Sequence, residues 1–125
     1  MERVRFEDHK GQRILVVDCK GLGPSELMEI FDEVQEIVTS EAAGSVMTLT
    51  DFTGAEFNKQ AADRLKLVAA LDRPYVRRAA IVGLDSLPDV YYRNLLSFSA
   101  RQFPAFKTYE EALQWLLSDS HRAAD

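Results

Sequence analysis

Residues 46–54 read VMTLTDFTG. A run rich in β-forming residues stops at an aspartate, which is followed by two residues with side chains and then a glycine. The run predicts a strand over 45–50. Asp51 and Gly54 suit the turn that leaves it. An aspartate side chain accepts backbone N–H bonds from residues just ahead, and glycine supplies a left-handed conformation without steric penalty. If the strand lies in a parallel sheet, this turn stands at the carboxyl edge, where ligands approach α/β folds. The flanking sequence decides whether the sheet is parallel.

Upstream, Val4 to Glu7 and Arg13 to Asp18 read as strands joined by a short turn at Lys10-Gly11-Gln12, a hairpin. The ILVVD run within the second strand is continuously apolar, as expected of a strand covered on both faces. Gly21, Gly23 and Pro24 break the chain. Leu27, Ile30, Phe31, Val34, Ile37 and Val38 then recur at helical spacing to Thr39, with Glu26, Glu29, Asp32, Glu33 and Glu36 on the opposite side. Downstream, Asn58 to Leu71 reads as a helix with Asn58 at its N-cap. Val76 to Val82 reads as a strand, Pro88 to Phe98 as a helix and Ala105 to Lys107 as a short strand. Thr108 and Glu111 form a capping box that opens a final helix burying Ala112, Leu113, Leu116 and Trp115. The order ββαβαβαβα predicts an α/β fold: about five strands in a mixed, mostly parallel sheet, the first an antiparallel edge, with about four helices. A single domain is expected over 1–118, with a frayed tail over 119–125.

The stretches GSVMTLTDFTGAEFN (44–58), RPYVRRAAIVGL (73–84) and FKTYEEALQWL (106–116), in this order and spacing, resemble the SpoIIAA-like family of STAS/CRAL-TRIO-type domains. The resemblance covers nearly the whole chain. It implies a β-α superhelix shared by anti-sigma-factor antagonists, cytoplasmic domains of sulphate transporters and a class of lipid-binding domains. The antagonists carry a DxSGxxFxDSSG-like stretch whose serine, at the start of the second helix, is phosphorylated by a partner kinase. Here Asp51, Phe52, Thr53, Gly54 and Phe57 match its first half. Gln60 and Ala61 stand where the serines belong, and no hydroxyl occurs from Gly54 to Ala70. The comparison therefore implies a module without the usual phosphoserine switch.

Composition narrows the classes further. The chain has 125 residues, 46% hydrophobic and 28% charged, with net charge −5. No apolar run approaches the roughly 20 residues of a membrane span. The opening MERVRFEDHK lacks the apolar core of a secretory signal, and Cys19 is the only cysteine, so the expectation is a cytoplasmic protein without disulfides. Residues 1–57 carry 5 basic and 12 acidic side chains, whereas residues 58–107 carry 9 basic and 4 acidic. The opposed blocks are compatible with a homo-oligomer, but charge blocks alone fix no symmetric pairing. An acidic chain with no basic cluster beyond Arg77-Arg78 does not read as a nucleic-acid binder.

Catalytic and metal-binding patterns are missing. His9 and His121 stand beside no nucleophile and no ligand cluster. Cys19 reads as a small buried strand residue. Gly21-Leu-Gly23 is half of a dinucleotide fingerprint, with Glu26 where the third glycine belongs, so it reads as a strand-to-helix turn. No catalytic residue, cofactor or metal is assigned, and the chain does not read as an enzyme. Two binding readings remain. The first is a docking loop for a protein partner at Asp51, Phe52, Thr53, Gly54 and Asn58. The alternative is a pocket for a small amphipathic or lipid-like ligand, with Phe57, Tyr75, Tyr91 and Phe98 as walls and Arg78 and Arg93 as a basic rim. It requires a cavity at those residues.

Overall fold

The computed structural model of the chain describes residues 2–99 and 103–118, the side chains of residues 86, 98 and 99 excepted. The tail expected to fray over 119–125 lies outside them. The strands are β1 (Val4–His9), β2 (Gln12–Asp18), β3 (Val46–Asp51), β4 (Val76–Val82) and β5 (Ala105–Phe106). The helices are α1 (Pro24–Thr39), α2 (Lys59–Asp72), α3 (Asp89–Ser99) and α4 (Tyr109–Leu117). A short 3-10 turn at Leu84–Ser86, which the sequence reading lacks, connects β4 to α3. The sheet order is β1-β2-β3-β4-β5, with β1 antiparallel to β2 and every other pair parallel.

The hairpin is tighter than its sequence suggests. Lys10 and Gly11 form a two-residue loop with φ of +52° and +80°, and His9 pairs with Gln12. Positive φ at both central positions matches the twist of the flanking strands.

Alternation along β2 builds two cores. Leu15 and Val17 point to one face, under α1, α2 and α3. Ile14 and Val16 point to the other, under α4 together with Met47, Leu49, Ala80 and Val82. All four β2 residues are at most 3% exposed, so the strand is covered on both faces as its sequence predicts. On the three-helix side, Leu27, Phe31 and Val38 of α1, Ala61, Val68 and Ala69 of α2 and Leu95 of α3 close the larger core. Arg64 of α2 reaches Asp32 of α1 at 2.6 Å and links the two helices.

Caps follow the sequence. Asn58 Oδ1 accepts the Ala61 N–H at 2.8 Å, and Thr108 Oγ1 accepts the Glu111 N–H at 3.1 Å. At α1 the Glu26 carboxylate accepts the Gly23 N–H at 3.1 Å, so glutamate in place of a third glycine caps a helix.

The register between β3 and β4 slips. Val46 faces Val76, but Met47 faces Arg78, leaving Arg77 as the extra residue. The bulge separates Val76, which packs on the three-helix face, from Arg78, which shares the α4 face with Ala80 and Val82. There the Arg78 guanidinium lies 4.0 Å from the Trp115 ring centre and donates to the carbonyls of Leu116 and Ser118 at the end of α4. Trp115, expected in the core, is half-buried against Phe106 at 5.8 Å between ring centres.

Candidate functional site at the carboxyl edge of the sheet

Because β2, β3 and β4 are parallel, the loops that follow them meet at one edge. Asp51 ends β3, 9% exposed. One carboxylate oxygen accepts the Thr53 N–H at 2.9 Å and the Thr53 hydroxyl at 2.6 Å. The other lies 3.8 Å from Lys20 Nζ. Asp18 pairs in register with Asp51 across β2 and β3, and its carboxylate lies 3.6 Å from the same ammonium. Arg3 donates to the carbonyls of Asp18 and Lys20, holding the β2 loop from the other side.

Backbone bonds stitch the loops together. The Gly21 N–H donates to Thr53 O at 3.0 Å, Glu56 N–H to Leu22 O at 2.8 Å and Phe52 N–H to Val82 O at 2.8 Å. Gly54, with φ +72°, makes the left-handed turn read from the sequence. Gly83 has φ +77°, and a Cβ built on it would fall 2.6 Å from the Thr53 nitrogen. The β4 loop thus abuts the β3 loop so closely that only glycine fits. The result is a rigid platform. Thr53, Gly54, Glu56, Asn58 and Lys59 are exposed on it.

The docking residues read from the sequence do gather here, with one difference. Phe52 is 1% exposed and packs edge-on against Phe31 and Phe57, with ring centres 6.2 and 5.2 Å away. It supports the loop from beneath, because the alternation that turns Asp51 toward one face sends Phe52 into the larger core.

The residues of the expected pocket do not converge. Phe57 and Tyr75 pack against the three-helix core. Arg78 lies across the sheet, on α4. Tyr91 lines an open cleft between α2 and α3, and Arg93 is exposed. The Phe98 side chain lies outside the described residues. A crevice of about 50 Å³ does exist between the sheet, α1 and α2, bordered by Thr48, Thr50 and Asp72 among apolar side chains. None of the five expected residues whose side chains are described lines it. Its volume is well below the roughly 300–1,000 Å³ of ordinary ligand pockets.

One charged cluster escapes the sequence reading. Arg5, Glu7 and His9 alternate along β1 and share its α4 face. His9 Nε2 lies 3.0 Å from one Glu7 oxygen, Arg5 Nε donates to the other at 2.7 Å, and the Tyr109 hydroxyl donates to the first at 3.3 Å. The His9 hydrogen bond, helped by the Arg5 charge, holds the Glu7 carboxyl below its ordinary value against the opposing effect of burial. Tyr109 is pushed up by burial and by Glu7. The period-2 spacing is a visible signal in the sequence, but the partner on α4 is not. Cys19 is 0% exposed, and burial, with the Asp18 charge, pushes its thiol up to about 12. That is an unreactive thiol. Among the described residues, no group of three or more His, Cys, Asp or Glu side chains is placed to hold a metal ion. No described helix is long and apolar enough to cross a membrane.

No family model matches the sequence, and no curated protein matches it. A solved structure does: an uncharacterized protein of the DUF3478 family with a SpoIIAA-like fold, from Shewanella loihica PV-4. It is 19% identical, the match covers 90% of this chain and 91% of that one, and the TM-score is 0.68. At that identity the likeness establishes the fold. The chain has a SpoIIAA-like fold, as the resemblance implied.

Proposed function

We propose that the chain is a non-catalytic binding module that docks a protein partner through the platform at the carboxyl edge, centred on the loop Asp51–Asn58. The observation that carries this reading is the pairing of a rigid base with an exposed crest. Asp51 and the close approach of Gly83 fix the loop, while Thr53, Gly54, Glu56 and Asn58 face solvent. A preformed surface loses little conformational entropy on binding. Fold kinship with signalling modules raises the prior by analogy.

The usual phosphoserine switch is not part of this reading. At the start of α2, Gln60 is exposed and Ala61 is 0% exposed, so the second of these positions points into the core. A carrier of a small amphipathic ligand has less support, because its aromatic walls and basic rim lie on different faces.

The test is affinity capture from the source cells with wild-type chain and with Thr53→Arg and Glu56→Arg. Both residues are exposed, but Thr53→Arg gives up the hydroxyl bond to Asp51, so circular dichroism is recorded on each variant and Glu56→Arg is the one that leaves the Asp51 bonds intact. Loss of one specific captured protein from both variants, but not from Gln114→Arg on exposed α4, is expected. Identical capture by all four proteins refutes the reading.

A further inference from the structure

The helical layer carries its charge unevenly. Glu29, Glu33 and Glu36 are exposed on α1 and enter no ion pair among the described residues, whereas Asp32 between them is held by Arg64. On the opposite flank, α2 and α3 border an open cleft of about 260 Å³ walled by Lys59, Lys66, Tyr91 and Asn94. Within it Asp63 lies 2.8 Å from Lys59 and 4.0 Å from Lys66. Arg93 of α3 is exposed as well. Between the two flanks lie Leu67 and Leu71, one turn apart on α2, at 47% and 46% exposure. Val90 on α3 is at 50%. These are the large hydrophobic side chains that stand exposed among the described residues, and all three belong to α2 and α3. An apolar centre flanked by opposite charges is the composition of an interface rather than of a solvated surface.

We propose that this face pairs two copies of the chain about a twofold axis that runs along α2. Leu67 and Leu71 of each copy meet at the centre. The acidic side of each α1 lies over the α2–α3 cleft of the other copy. The arrangement follows from the order of the helices and the sign of the charges. α1 packs on α2 and α2 packs on α3, so α2 is the middle helix. A twofold axis along α2 exchanges the two flanks and sets α1 against the basic flank twice. A twofold axis across the helices sets α1 against its own copy, acid on acid, which Coulomb repulsion disfavours. The same complementarity favours a second copy over an unrelated occupant, because one chain supplies both signs in mirrored places. The face is distinct from the carboxyl-edge platform, and the inference does not depend on that platform's role.

The experiment is sedimentation equilibrium over a concentration series, with circular dichroism on each variant. Wild type is expected to reach twice the chain mass of 14.1 kDa, with association weakening as salt rises. Leu67→Glu with Leu71→Glu should return the single-chain mass. Two charge sets test the axis. Glu29→Lys with Glu33→Lys and Glu36→Lys should be monomeric alone, as should Lys59→Glu with Lys66→Glu, since each places like charges together at both contacts. Mixed one to one, they should recover a species of twice the mass. A wild type that stays monomeric throughout overturns the proposal and leaves the face to another partner. A dimer that survives the leucine substitutions overturns the choice of face. Failure of the mixed charge sets to associate while wild type dimerises overturns the axis.

Discussion

Substituting Gly83 by alanine tests whether the three carboxyl-edge loops form one rigid platform. The residue has φ +77°, and an added Cβ would meet the Thr53 nitrogen at 2.6 Å and its Cα at 2.8 Å. Thr53 has little room to retreat. Its N–H is held by Asp51 and its carbonyl by Gly21. Gly11 in the hairpin is the natural control, with φ +80° but nothing within 4 Å of the place its Cβ would take. Both alanines incur the left-handed penalty of about 1–2 kcal/mol. Gly83→Ala adds an overpacking cost of about 1–3 kcal/mol, for a total of about 2–5 kcal/mol. With roughly 3–5 °C per kcal/mol for a domain of this size, the melting temperature should fall about 6 °C at least for Gly83→Ala. The assay is thermal unfolding followed by circular dichroism, with both variants fitted alongside wild type. Equal displacement of the two midpoints would refute the close approach and with it the account of loop rigidity.

Two further expectations follow from side-chain contacts. The Glu7 carboxyl is held below its ordinary value in the folded state, so its contribution is present above the unfolded carboxylate range and is lost as pH falls through the folded value. Glu7→Gln should therefore flatten the acid side of the stability profile as pH falls through and below the ordinary carboxylate range; a profile parallel to wild type over that range would contradict the cluster. Arg78→Lys keeps the charge but loses the planar guanidinium over Trp115 and the paired bonds from one of its nitrogens to the carbonyls of Leu116 and Ser118. It should cost about 1–2 kcal/mol. The exposed Arg93→Lys should stay within about 0.5 kcal/mol of wild type in the same thermal melts.

Local patterns carry most of the fold. ILVVD announces a strand buried on both faces, and TYEE a capped helix, because each signal is complete within a few residues. The face taken by Val76 is not legible. Alternation counted back from Val82 and Ala80 gives Arg78 its α4 face but would put Val76 there too, and only the extra residue at Arg77 returns Val76 to the three-helix core. The Asp18–Asp51 neighbourhood behaves similarly. Each aspartate visibly ends its strand, but only the β2–β3 register sets them side by side under Lys20. Phe52, read from the sequence as part of the docking loop, continues the alternation of β3 into the core. The Arg5–Glu7–His9 row is readable as a row. Its completion by Tyr109 requires knowing which face α4 covers, and the Tyr109–Glu7 contact spans 102 residues.

That long span has a consequence for how the chain is made. α4 is the last described element, and among the described helices it is the one that covers Ile14, Val16, Met47 and Leu49, which end at most 4% exposed. On a ribosome, the sheet and its three earlier helices can assemble while this second face still awaits its cover. During that interval a wall of β-branched and aliphatic side chains is open to solvent, and premature release there would leave a sticky slab. The Glu7 row on β1 then acts as a late latch for the arriving helix.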